Sequence, residues 1–188
     1  MRIIAGQYRS RPLKSLPGLN LRPTSDRLRE TLFNVLASSS TLEGSAWLDL
    51  FAGTGAVGIE ALSRGARQVY FVESERKHAR LLRDNLKSLK ISEGFEVYES
   101  DVAPALRSLE ASGVTCDFCF LDPPYHLPGA YQRTLEFLGQ SRLVGPSSIV
   151  ISEHEKKFDA GEKFGALARY RKIVRGDAGL SLYRAISN

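Results

Sequence analysis

Two stretches of this sequence combine residue types that could do chemistry, Gly53-Thr-Gly-Ala-Val-Gly58 and Asp122-Pro-Pro-Tyr125. The first has the GxGxxG spacing, in which glycines allow a sharp turn and let the backbone approach a ligand closely. The free N–H groups at the start of the helix that follows attract a polar or anionic group. Glu73 lies 20 residues beyond Gly53, where the next strand of a nucleotide-binding sheet presents an acid to a ribose. Asp101, after the run Phe95–Glu99, is a third acid at an equivalent strand end, suited to accept from an adenine amino group. Each acid has a plainer alternative: Asp49, four residues before Gly53, could cap its own turn, and Glu73 or Asp101 could cap a helix.

Asp49 narrows the choice of ligand. Its negative charge beside the turn repels a pyrophosphate and favours a cationic or zwitterionic molecule. S-adenosylmethionine carries an amino group and a sulfonium and has no phosphate, so it meets that condition better than NAD does. In Asp122-Pro-Pro-Tyr125 two prolines fix an extended turn and remove two N–H donors, so the Asp carboxylate and the carbonyls form an acceptor-only surface. That surface suits an exocyclic amine. Tyr125 adds a flat face for stacking a base taken out of its helix. A bare Asp-Pro turn has no function of its own; the aromatic and the upstream glycine turn argue otherwise.

The elements that must hold these groups follow from periodicity. Trp47, Leu48, Leu50 and Phe51 form a buried strand, and Ala56–Arg64 is the helix after the glycines. Val69–Val72 is a strand, Glu75–Leu89 a helix, Phe95–Glu99 a strand, Val102–Ala111 a helix with Pro104 in its first turn, Cys116–Leu121 a strand, Ala130–Leu138 a helix and Ser148–Ser152 a strand. This alternation predicts a parallel sheet covered on both faces. Tyr170–Val174 and Leu180–Ile186 flank Arg175-Gly-Asp-Ala-Gly179 as an antiparallel pair with a tight connection. Arg22-Pro-Thr-Ser-Asp26 starts an earlier helix, with Thr24 or Ser25 as its N-cap. Cys116 and Cys119 form a CxxC, but residues three apart in a strand point to opposite faces, so they are expected as core thiols and no metal is implied.

At 188 residues, with 43% hydrophobic and 25% charged, the chain is expected to form one globular domain over 1–188. Residues 1–22 form a basic hairpin extension on a body spanning 23–188. No run approaches the ~20 apolar residues of a membrane span and no signal-peptide core is present, so no membrane partner and a cytoplasmic location are expected. Arg2, Arg9, Arg11, Lys14 and Arg22 carry the whole net charge of +5, since residues 1–22 contain no acid. Such a segment suits contact with phosphates, though a solvated basic edge reads the same way from charge alone. His78, His126 and His154 show no ligand spacing, and no association segment is evident, so a monomer is expected.

Asp49–Gly55 and Asp122–Tyr125 resemble motifs I and IV of class I S-adenosylmethionine-dependent methyltransferases that modify planar amino nitrogens. Met1-Arg-Ile-Ile-Ala-Gly6, Arg22-Pro-Thr24, Asp26-Arg27, Arg29-Glu-Thr-Leu-Phe-Asn34 and Leu62-Ser-Arg-Gly-Ala66 are similar to a narrower group, the bacterial 16S ribosomal RNA guanine N2-methyltransferases called the RsmD family. The likeness is specific from Met1 to about Tyr125 and mainly topological beyond Ser152. It implies a Rossmann-like, seven-stranded, mostly parallel sheet with helices on both faces and an antiparallel last strand. It also implies S-adenosylmethionine held by Thr24, Asp49, Phe51, Gly53, Gly55, Glu73, Ser74, Asp101 and Val102, with S-adenosylhomocysteine as product.

On this reading Asp122 and the Pro123 carbonyl accept the protons of a guanine N2 amine, Pro124 stiffens the turn and Tyr125 stacks the base. Arg2, Arg9, Arg11, Lys14 and Arg22 hold 16S ribosomal RNA of the small subunit or its assembly intermediate. Three other readings fit part of the pattern. A DNA adenine or protein glutamine N-methyltransferase shares the proline turn. A nicotinamide-dependent oxidoreductase explains the glycines and Glu73 but not Asp122–Tyr125. A non-catalytic RNA-binding protein leaves the acids idle.

Overall fold

Burial patterns divide the chain into one sheet and two helical layers, and the glycine turn lies where they meet. The computed structural model describes residues 1–15, 25–124 and 127–186. Thirteen elements follow in order: α1 (Asp26–Ala37), β1 (Ala46–Leu50), α2 (Ala56–Ser63), β2 (Gln68–Val72), α3 (Arg76–Ser88), β3 (Phe95–Tyr98), α4 (Val102–Ala111), β4 (Cys116–Leu121), α5 (Pro128–Leu138), β5 (Val144–Glu155), β6 (Lys163–Phe164), β7 (Leu167–Arg175) and β8 (Ala178–Ala185). The strands form one sheet in the order β3-β2-β1-β4-β5-β8-β7-β6. Neighbours from β3 through β5 are parallel, whereas β8 runs antiparallel to both β5 and β7.

The sheet therefore has eight strands where seven were expected. The additional one, β6, is two residues long and pairs only with β7, as Lys163↔Ala168 and Phe164↔Leu167. Lys163-Phe164 is too short to show any alternation. β5 also extends past both ends of the expected Ser148–Ser152, because Ser148 Oγ bridges Gly145 N and the Cys116 carbonyl and carries the strand across a bulge. Arg175-Gly-Asp-Ala178 closes the β7–β8 hairpin, with Gly176 at φ +61, a region that favours glycine.

One face of the sheet packs on α1, α2 and α3. Trp47 anchors it, stacked between Phe33 and Phe118 with ring centroids 5.3 and 4.5 Å away. The other face packs on α4 and α5 through residues such as Leu106, Leu109, Tyr131 and Leu135. Both cysteines lie in this second cluster, so the expectation that they face opposite ways fails. The register shift between Cys116 and Phe118 in β4 breaks the two-residue alternation and turns Cys116 to the Cys119 side. Burial pushes both thiols up, Cys116 to about 12, which leaves them as inert apolar packing.

The described part of the basic N-terminal segment, residues 1–15, makes a hairpin-like loop closed by an antiparallel bridge, Arg2↔Pro12, while 16–22 lie outside the described residues. Ile3 N donates to the Arg11 carbonyl, Ser10 N to the Ile3 carbonyl and Leu13 N to the Met1 carbonyl. The loop is bolted down by a buried acid: Glu60 of α2 accepts from Ile4 N at 2.8 Å and Ala5 N at 3.0 Å. Arg64 Nε reaches the same carboxylate at 2.8 Å and Arg29 Nε lies 3.6 Å from it, while Arg29 also donates to the Arg2 carbonyl. Gly6, at φ +83, lies so close to α2 that a Cβ would fall 1.7 Å from the Ser63 carbonyl oxygen.

Candidate active site

β1 and β4 are parallel neighbours with Leu50 opposite Leu121. The glycine turn and Asp122-Pro-Pro therefore leave the same carboxyl edge of the sheet on strands ~4.8 Å apart. Glu73 and Asp101 follow β2 and β3 on that edge. The three acids and the proline turn are thus gathered along one side of the sheet, where ligands of open α/β folds bind.

The glycine turn is built as the spacing demanded. Gly53 and Gly55 have φ of +55 and +76, and Phe51 at φ +60 takes a left-handed conformation that costs a non-glycine residue about 1–2 kcal/mol. A Cβ on Gly53 would meet nothing nearer than the Phe51 carbonyl oxygen at 3.9 Å, which leaves open space for a ligand. A Cβ on Gly55 would fall 2.1 Å from Leu82 Cδ1, and one on Gly58 2.3 Å from Phe71 Cε1. Gly55 and Gly58 thus serve close packing of α2 against α3 and the sheet. Gly55→Ala combines that clash with the positive φ, so the denaturant midpoint should drop by an amount equivalent to about 3 kcal/mol, whereas Gly53→Ala should cost less stability.

Glu73 ties the strand ends together. Its Oε2 accepts from Gly53 N at 2.8 Å and its Oε1 from Glu75 N at 2.8 Å, with His78 Nδ1 at 3.7 Å. Asp49 is almost fully buried, and its Oδ2 accepts from Gly58 N at 2.9 Å, so it caps α2 from nine residues away. The capping alternative for Asp49 is therefore present in the structure. Capping alone does not stabilise its charge, because desolvation outweighs the Gly58 hydrogen bond and, with the nearby Glu73 charge, lifts the Asp49 carboxyl to about 7. Asp101 occupies the N-cap position of α4, yet its exposed side chain makes no capping hydrogen bond. Ser74 is exposed at the end of β2, Phe51 and Val102 are half-buried, and all three border the same edge.

The proline turn differs from the sequence expectation in one respect. The Pro123 carbonyl, expected to face the substrate amine, accepts from the buried Tyr131 hydroxyl at 3.2 Å, and the Pro124 carbonyl accepts from Leu127 N at 2.8 Å. Each oxygen thus already carries one internal hydrogen bond that a sequence pattern could not reveal. Tyr131 sits on α5 and its ring lies 4.7 Å from Phe158, so the turn is braced from beneath. Asp122 is half-buried and Pro123 buried, while Pro124 is exposed. Tyr125, His126, Arg22 and Thr24 lie outside the described residues.

Arg2, Arg9, Arg11 and Lys14 are exposed on the N-terminal loop. Asn85 of α3 joins that loop to the glycine turn: Lys14 N donates to Asn85 Oδ1 at 2.8 Å, and Asn85 Nδ2 donates to the Lys14 carbonyl at 3.2 Å and the Thr54 carbonyl at 3.0 Å. Asn85, Glu60, Arg29 and Tyr131 were all missed as positioning residues. A polar residue at an apolar position of a helical pattern, as Arg29 and Asn85 are, was the available signal. Among the described residues no group of three or more His, Cys, Asp or Glu is placed to hold a metal ion, and no helix is long and apolar enough to cross a membrane.

Known proteins share this arrangement. A family model described as "Conserved hypothetical protein 95" matches residues 1–184. The chain is 33% identical over 184 residues to a Bacillus subtilis protein named putative rRNA methyltransferase YlbH, covering 98% of each. It is 40% identical over 157 residues to the Haemophilus influenzae ribosomal RNA small subunit methyltransferase D, covering 83% of this chain and 79% of that one. A solved Escherichia coli structure, described as putative methyltransferase yhhF, superposes with a TM-score of 0.83 at 31% identity and covers 100% of this chain and 99% of its own. The shared length, the glycine turn and the acids along one edge lead to one assignment: the chain belongs to the RsmD family of S-adenosylmethionine-dependent methyltransferases.

Proposed function

We propose that the protein methylates the exocyclic N2 amine of a specific guanine in 16S ribosomal RNA of the small ribosomal subunit. The observation that carries this reading is the parallel register of β1 and β4, which sets an acid-lined cofactor edge beside an acceptor-rich turn. The names of the relatives supply the ribosomal RNA, and the exposed basic loop on a single 1–188 domain supports a polyanionic substrate. A monomer acting in the cytoplasm on the small subunit or its assembly intermediate fits this reading.

The residues present fit the cofactor. Gly53 leaves room, Asp101 offers an uncommitted carboxylate, and Asp49 is a buried acid in want of a positive charge. Bound S-adenosylmethionine supplies an electrophilic methyl group on a sulfonium. Glu73 would receive the ribose hydroxyls and Asp101 the adenine amine, with Thr24, Phe51, Ser74, Gly55 and Val102 around them. A guanine N2 lone pair is delocalised into the ring, so the amine is a poor nucleophile. Asp122 accepts one of its protons and localises density on nitrogen, with any Pro123 contribution shared with Tyr131. Pro124 and Tyr125 fix the plane of the flipped base, so the chain contributes mainly alignment. The proton released after transfer passes to Asp122 or to water.

Asp49 gives this reading a pH signature. Its folded value of about 7 exceeds the ordinary 3.8, so its share of apoprotein stability is full below about pH 4 and is lost as pH rises through about 7. A cation placed beside it favours the charged form and expels the proton. Titration calorimetry with S-adenosylmethionine near pH 6.5, in buffers of different ionisation enthalpy, should show proton release. Asp49→Asn should abolish that release and weaken binding.

Mass spectrometry of 16S ribosomal RNA from cells lacking the protein tests the function itself. One missing N2-methylguanosine, restored by the purified enzyme and methyl donor, is the expected result. An unchanged nucleoside profile, or incorporation into DNA or glutamine instead, would overturn it.

A further inference from the structure

The balance of 21 bases against 21 acids outside residues 1–22 hides a local concentration. Helix α3 carries Arg76, Lys77, Arg80, Arg83 and Lys87 against the single acid Asp84. Arg76, Arg80, Arg83 and Lys87 are spaced 4, 3 and 4 residues apart, so they form one stripe along its outer face. All four are exposed, and the stripe runs ~16 Å down the helix. Its first residue lies three positions after Glu73, so it begins at the catalytic edge. Arg83 and Arg76 share Glu99, at 2.8 and 3.9 Å, whereas Arg80 and Lys87 form no ion pair among the described residues.

The stripe is also physically continuous with the basic N-terminal loop. Arg11 donates to the Ser88 carbonyl at 3.2 Å, Lys14 is locked to Asn85 in both directions, and residues 11–14 with Ser88 and Leu89 border a cleft of about 330 Å³. Lys90 continues the positive surface beyond the helix end. A solvated helix would have little reason to be pinned against a second basic segment through a buried asparagine.

We propose that the outer face of α3, carried by Arg80 and Lys87, is a second phosphate-binding surface that continues the N-terminal loop and grips the ribosomal RNA backbone flanking the target base. This rests on the RNA reading of the substrate above. Arg80 and Lys87 touch phosphates only and take no part in the methyl transfer.

The test measures binding of in vitro transcribed 16S ribosomal RNA between 50 and 200 mM salt, alongside methyl incorporation. Arg80→Gln/Lys87→Gln should raise Kd and KM by roughly tenfold and lower the slope of log K against log salt by about two, one per lost phosphate contact. The variant should keep its kcat at saturating RNA, its S-adenosylhomocysteine affinity and its melting temperature. Arg107→Gln/Arg142→Gln removes the same charge from the exposed surface around α4 and should change the slope little. Equal slopes and Kd for wild type and the α3 variant, or equal losses in both variants, would overturn the proposal. If wild type transfers no methyl group to this RNA, the substrate reading fails, yet a loss of RNA affinity confined to the α3 variant would still establish the surface.

Discussion

Asp122→Ala is expected to cut methyl transfer to ribosomal RNA by about 10²–10³-fold while S-adenosylhomocysteine binds as it does to the parent protein. Asp122 follows β4, whereas the acids proposed to meet the cofactor lie in β1 (Asp49) or follow β2 and β3 (Glu73 and Asp101). Because the carbonyls of Pro123 and Pro124 already accept from Tyr131 and Leu127, little remains to polarise the amine once the carboxylate is gone. Single-turnover incorporation, with cofactor affinity from calorimetry, separates the two quantities. Parallel loss of both would place Asp122 among the cofactor ligands and remove it from the reaction.

Glu60→Ala should have the largest effect on stability. Its fully buried carboxylate serves Ile4 N, Ala5 N and Arg64 and lies 3.6 Å from Arg29, whose side chain is also fully buried. Among the described residues Arg29 Nε and Nη1 have no hydrogen-bond partner, and apart from the more exposed Asp26 carboxylate, 3.1 Å from Nη2, Glu60 supplies the compensation for this buried charge. Removing one partner of a buried pair strands the other and costs about 3–5 kcal/mol. At an m-value of about 2 kcal/mol/M the urea midpoint would fall by roughly 2 M. Arg64→Ala should cost less, since Glu60 would keep Arg29 and its two backbone donors. Glu60→Ala also releases the N-terminal loop, so RNA affinity should decline under conditions where the body is still folded.

Strands β1, β2 and β4 of the parallel half could be read from periodicity because each is short, largely buried and followed by a helix; α4 and β4 match the expected bounds residue for residue. The glycine turn was equally plain, since φ values near +55 and +76 demand residues without a Cβ. What stayed hidden depends on contacts distant in sequence. Glu60 meets Ile4 across 56 positions and Asn85 meets Lys14 across 71, and no local pattern records such partners. The two-residue β6 exists only because β7 offers an edge to pair with. The side to which Cys116 turns is set by a register shift that pattern alternation cannot anticipate. The division of labour at Pro123 was hidden for the same reason, because Tyr131 approaches from a different element.

The position of β8 has a consequence for biosynthesis. It lies between β5 and β7, so until Ala178–Ala185 has cleared the ribosome exit tunnel, β5 presents an unsatisfied edge and β7 has only the two residues of β6 beside it. A nascent chain in that state exposes the apolar Ile149, Val150 and Ile151 along an open ladder, a template for pairing with other chains. Closure of the sheet therefore waits on β8, and a chain truncated before Ala178 should yield an aggregation-prone product rather than a weakened enzyme.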